Sequence, residues 1–146
     1  MAAAIGPHRT TERPGYLLKR AQAALHAALA ARLREHGVTV AQYAVLAAVG
    51  EEPGLSNAEL ARRAFVTPQT MNQVLRELED KSWVTRQPHP GHGRILQAGL
   101  TAQGRAALRA CHQAASAIED RMLARLSPAH RRQLADMLLT CIEDLS

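Results

Sequence analysis

Gln69, Asn72, Gln73 and Arg76 follow one another at intervals of three, one and three. On a helix this spacing places all four on one face. Glutamine and asparagine amides can bond bidentately to adenine, and a guanidinium to guanine, along the major-groove edge of duplex DNA. Thr70, beside the row, can reach a phosphate or a thymine methyl. The row carries no carboxylate before Glu79 and Asp80. A second basic group follows in Arg86, His89, His92 and Arg94, with no acidic residue from Thr85 to Ala117. An arginine at the tip of such a segment can enter a narrow minor groove. Ser56 and Thr67, which cap two helices ahead of the row, complete the set assigned to DNA. A helix start with free N–H groups also suits a backbone phosphate.

Other chemistries are poorly supplied. There is no nucleophile–base–orienter set, phosphate loop or carboxylate pair at informative spacing, so an enzyme is the weaker class. Cys111 and Cys141 make no disulfide framework, and neither His-x3-His nor Cys-x2-Cys occurs, so no metal and no cofactor is expected. Both cysteines fall on apolar helix stripes and read as inert packing rather than as a thiol switch. A helical protein–protein adaptor is the third class. Salt separates it from a DNA reader, which loses affinity steeply by counterion release.

The elements that must position these residues are mostly helical. The 146 residues are 47% hydrophobic but only 3% aromatic, and Ala and Leu dominate. That composition favours helix over strand. Eighteen Lys and Arg against 13 Asp and Glu give a net charge of +5 and a pI near 10.0, which suits a polyanionic partner. No apolar run approaches the roughly 20 residues that span a membrane. The first 14 residues lack the charged and apolar regions of a signal peptide, so a cytoplasmic protein is expected.

Residues 1–14 read as an extended arm. A first helix is predicted from Tyr16 to about Glu35, with Leu17, Ala21, Leu25, Leu29 and Leu33 on one stripe and Gly37 as its stop. A second runs from Thr39 to Val49, with Thr39 and Gln42 as a capping box; Ser56 and Glu59 repeat that motif for the third. Thr67 caps the fourth, with Pro68 at its first position, and Met71, Val74, Leu75 and Leu78 form its buried side. Trp83–Arg86 and Ile95–Leu100 read as the strands of a hairpin whose long tip spans residues 87–93. Thr101 caps a fifth helix running to about Leu126, and Ser127-Pro128 opens a sixth.

Two short helices, a tight turn and then a hairpin make the order of a winged helix-turn-helix. In its segments Leu55-Ser56-Asn57-Ala58-Glu59-Leu60-Ala61, Thr67-Pro68-Gln69-Thr70, Leu75-Arg76-Glu77-Leu78-Glu79, Trp83-Val84-Thr85-Arg86, Pro90-Gly91-His92-Gly93-Arg94 and Leu100-Thr101-Ala102-Gln103-Gly104 the chain resembles the multiple antibiotic resistance regulator (MarR) family. The resemblance runs from the first helix to the sixth. It implies a mainly α fold with a two-stranded wing and a ligand-responsive repressor of double-stranded DNA. It also implies a homodimer, held by helices within 1–36 and 105–146, with 38–104 as the DNA-reading lobe. The family's wing usually reads Asp-x-Arg; here His92 stands at the Asp position before Arg94. A carboxylate would orient that arginine through a charge-assisted bond, and a histidine does so poorly.

The apolar stripes of the terminal helices argue for the dimer independently, since a monomer would expose a large patch. A two-fold dimer predicts a palindromic operator with half-sites roughly 34 Å apart. Family members respond to small aromatic anions, metals or oxidants. An effector pocket is expected between the first, second and fifth helices, where Tyr16, His26, Tyr43 and Arg105 are the candidate ligand residues.

Overall fold

The computed structural model describes residues 9–146, and the backbone alone at residues 89 and 92–96. A short 3-10 turn, Thr10–Glu12, leads into α1 (Pro14–Arg34), so the chain is helical earlier than the expected start at Tyr16; the rest of the expected arm, residues 1–8, lies outside the described residues. Then come α2 (Val40–Glu51), α3 (Asn57–Arg63), α4 (Pro68–Asp80), the antiparallel strands β1 (Val84–His89) and β2 (His92–Leu100), α5 (Ala102–Leu123) and α6 (Pro128–Leu145). Among the described residues no helix is long and apolar enough to cross a membrane.

Local chemistry fixes the helix starts. The Thr39/Gln42 and Ser56/Glu59 capping boxes are both closed, each pair satisfying two backbone N–H groups reciprocally. Thr67, Thr101 and Ser127 each accept a bond from the backbone N–H three residues on. Pro68 and Pro128 then occupy the first helical position, where no N–H is needed.

The main core joins α2, α3, α4 and the base of the wing. Val45, Leu46, Val49, Leu60, Met71, Leu75, Leu78 and Val84 are buried in it. A smaller cluster gathers Leu33, Val38, Cys111 and Ala114 at the meeting of α1, α2 and α5. Trp83 packs against both. The turn from β2 into α5 presses on it closely: a Cβ built on Gly104 would lie 2.0 Å from the Trp83 carbonyl oxygen. Only glycine fits there.

The wing corrects one expectation. Instead of a long tip, β1 continues to His89 and β2 begins at His92, leaving only Pro90 and Gly91 between them. Both strands of a two-stranded ribbon are edges, so Pro88 can sit in the ladder opposite Leu96 without removing a needed bond. The register shifts between Pro88 and His89, and Gly91 takes a positive φ of 125°. Gly99 lies within the ladder, opposite Thr85.

Helix α6 stands apart. None of its residues is buried, and it makes scarcely any contact with the rest of the chain. Cys141, expected to be packed, is exposed in the single chain, whereas Cys111 is buried.

Candidate nucleic-acid interface

Helix α4 is strongly two-sided. Met71, Val74, Leu75 and Leu78 are buried, while Gln69, Thr70, Gln73 and Arg76 are exposed. The exposed side chains are lightly tied: Gln73 reaches Glu77 at 3.4 Å and Arg76 Nε reaches the Asn72 carbonyl at 3.4 Å. At the start of the helix, Thr67 Oγ1 accepts from the Thr70 backbone N–H and donates to the Thr70 hydroxyl at 3.0 Å.

Two residues of the set are otherwise engaged. Asn72 is only half exposed, and its Oδ1 accepts a hydrogen bond from Asn57 Nδ2 on α3. It therefore clamps the two helices of the motif together instead of standing free in the row. Arg86 Nε faces Glu79 Oε1 as an ion pair, and neither atom has another hydrogen-bond partner among the described residues. That pair ties β1 to the end of α4. Ser56 serves its own helix as cap. The side chains of His92 and Arg94 lie outside the described residues; their backbone places both on β2, near the turn.

A buried polar hub holds α4 from behind. Gln42, the buried polar residue of α2, donates from Nε2 to Glu77 Oε2 at 2.8 Å. Its Oε1 accepts from Lys81 Nζ at 3.2 Å and from its capping partner, the Thr39 N–H. Lys81 also donates to the Gly37 carbonyl at 2.5 Å and lies 4.6 Å from the centre of the Trp83 ring. The capping spacing revealed Gln42 as a helix start, but nothing local linked it to residues 35 and 39 positions away.

An α4 clamped to α3, wedged on α2 and followed by a β-hairpin is the DNA-reading arrangement of winged helix-turn-helix proteins. Known proteins decide its lineage. A MarR family model matches residues 36–95. The HTH-type transcriptional repressor Rv2887 of Mycobacterium tuberculosis is 44% identical over 124 residues, 85% of this chain and 89% of its own. The chain belongs to the MarR family. This MarR protein is thus a DNA-binding transcription regulator with a winged helix-turn-helix fold. A crystal structure of Rv2887 in complex with DNA is 41% identical and matches with a TM-score of 0.77, covering 88% of this chain and 97% of that one. The Rv2887 complex with salicylic acid matches at 0.75 with 43% identity, over 88% and 96%.

The four ligand candidates are not gathered by one another. Tyr16 and His26 are exposed on α1, and Arg105 Nη1 donates to the Leu100 carbonyl at 3.1 Å. Tyr43 of α2 meets a residue outside the set: its hydroxyl lies 2.7 Å from His112 Nδ1 on α5, with the rings edge-to-face at 5.5 Å. Burial raises the Tyr43 pKa, helped by nearby Cys111, Glu51 and Glu119, so its hydroxyl stays protonated. Burial also raises the Cys111 pKa against the pull of Lys81, and so favours the neutral thiol. A separate cavity of about 220 Å³ between α1 and α5 is lined by Ala21, Ala24, Leu25, Ala28, Ile118, Arg121 and Met122.

Proposed function

We propose that this MarR protein is a ligand-responsive repressor, working in the cytoplasm as a homodimer on a palindromic operator and carrying out no catalysis. Residues 38–104 form the DNA-reading lobe, and helices within 1–36 and 105–146 form the dimer contact. Gln69, Thr70, Gln73 and Arg76 read the major groove, Ser56 and Thr67 lie against backbone phosphates, and His92 and Arg94 carry the wing to the minor groove. Asn72 and Arg86 are positioning residues that hold α4 against α3 and β1.

The observation that carries this reading is the exposed face formed by Gln69, Thr70, Gln73 and Arg76 on α4, whose acidic residues all lie after Arg76 and whose inner face is fully packed. The test is binding to duplexes selected from a random pool, with affinity followed against salt. Arg76→Ala should lose about 1–3 kcal/mol and relax preference at one base pair per half-site. Arg94→Ala should weaken binding evenly across sequences. Wild-type binding by both variants would refute the assignment.

The effector is proposed to be an aromatic carboxylate, the class to which the salicylic acid bound by the relative Rv2887 belongs. Tyr43 with His112 supplies a polar end for it, one hydroxyl and one imidazole between α2 and α5. Salicylate should release the wild-type protein from DNA, and Tyr43→Phe should need more of it. Equal response in the two proteins would remove Tyr43 from the site.

A further inference from the structure

Ten large apolar side chains are exposed among the described residues, and nine of them lie on α1, α5 and α6. A second copy of the chain covers those nine under the reading above. The tenth is Phe65, 96% exposed, in the turn between α3 and α4. Its backbone is left-handed, with φ at 55°, a conformation that glycine adopts without penalty and an aromatic residue does not. The ring therefore neither packs inside the chain nor eases the turn.

Its surroundings point to its partner. Phe65 stands two residues before Thr67, the cap of the helix whose outer face carries Gln69, Thr70, Gln73 and Arg76. No acidic residue occurs from Leu60 to Arg76. Arg62, three residues before it, is exposed and makes no ion pair among the described residues, its charge acting only at longer range on Glu59, while Arg63 is held by Glu52. An apolar ring set in a cationic, acid-free turn complements a polyanion that also offers apolar surface. We infer that Phe65 is a DNA contact, packing on a thymine methyl or a deoxyribose face at the edge of the major groove while Arg62 meets the neighbouring phosphate. This rests on α4 being the reading helix.

The test uses the full-length protein and a duplex that the wild type selects from a random pool. Phe65→Asn and Phe65→Gly both suit the positive φ, so fold, dimer and thermal stability should be kept. Each should bind roughly tenfold more weakly, the scale set by burying much of one aromatic side chain. The salt slope should stay at the wild-type value, whereas Arg62→Ala should lower it by about one. Replacing thymine by uracil, position by position, then separates the two sources. A thymine methyl is the contact if one substitution weakens the wild type but not Phe65→Gly; a deoxyribose is the contact if none does. Wild-type affinity in both Phe65 variants, with Arg76→Ala still impaired, overturns this inference alone and leaves the ring for a protein partner. Unimpaired Arg76→Ala overturns the underlying reading of α4 as well.

Discussion

Helices α4 and α6 open with the same signal, a capping hydroxyl followed by proline at the first helical position. Each then repeats apolar residues three and four apart: Met71, Val74, Leu75 and Leu78 in one, Leu134, Met137, Leu138, Cys141, Ile142 and Leu145 in the other. In α4 all four are buried under α2, α3 and β1. In α6 none is, and Met137, Leu139, Ile142 and Leu145 are each more than half exposed. The periodicity says that a stripe will be covered; it does not say by which chain. A stripe left open on an isolated helix is the physical reason to expect a second copy here.

The harshest way to break the comparison is to remove its open half. Deleting residues 128–146 should abolish the dimer in sedimentation and cut DNA affinity by about a hundredfold or more, since the two half-sites no longer act together. The remaining chain should still fold around the α2–α4 core. A truncated monomer that binds the selected duplex as the full chain does would refute the dimer model.

On the packed side, Gly104→Ala should be the most damaging single methyl. The new Cβ meets the Trp83 backbone, which cannot rotate away as a flexible side chain would. Trp83 touches both apolar clusters, so the shift spreads through the base of the wing and the start of α5. A loss of about 3 kcal/mol in urea denaturation is expected. A loss below about half of that would show that the wing and α5 separate easily.

Gln42→Ala probes the same packed side with a milder change. It removes the hydrogen bonds that Glu77 and Lys81 share through one buried amide and should cost about 2 kcal/mol. Lys81 keeps the Gly37 carbonyl and the Trp83 ring, which limits the damage. If DNA affinity also falls in the folded variant, the hub sets the angle of α4 as well as its stability.

These contrasts mark what the chain reveals by itself. The starts of α2 to α6 were legible, because a cap and its partner are three residues apart and their chemistry is local; α1, which has no side-chain cap, begins at Pro14 rather than Tyr16. The two faces of α4 were legible for the same reason. The Asn57–Asn72 clamp, the Arg86–Glu79 pair and the Gln42 hub were not, since each joins side chains on different elements. Asn72 and Arg86 have the chemistry of DNA contacts, and only their tertiary partners show them engaged. The short wing turn was hidden by two prolines and two glycines between Gln87 and Gly93, which read as loop although a two-stranded ribbon accepts them at its edges. The Tyr43–His112 contact was not legible either, since the two residues lie 69 positions apart.

The smallest effect concerns the start of α3, within the packed lobe. The Ser56 backbone N–H donates to Glu59 at 2.8 Å, and this bond, with the Ser56 hydroxyl and the charges of Arg62 and Arg63, holds the Glu59 carboxyl below its usual pKa. A carboxylate whose pKa is depressed in the folded state stabilises the fold above the ordinary carboxylate range, and that contribution fades as pH falls through its lowered value. Glu59→Gln keeps an acceptor for the capping box but has no charge to lose. The variant should therefore be slightly less stable than wild type at neutral pH, and the gap should close in acid. No comparable acid-dependent gap is expected at the start of α6, where no acidic residue stands in the first turn. A gap that persists unchanged into acid would mean that the Glu59 charge plays no part in holding the helix that carries Asn57 against α4.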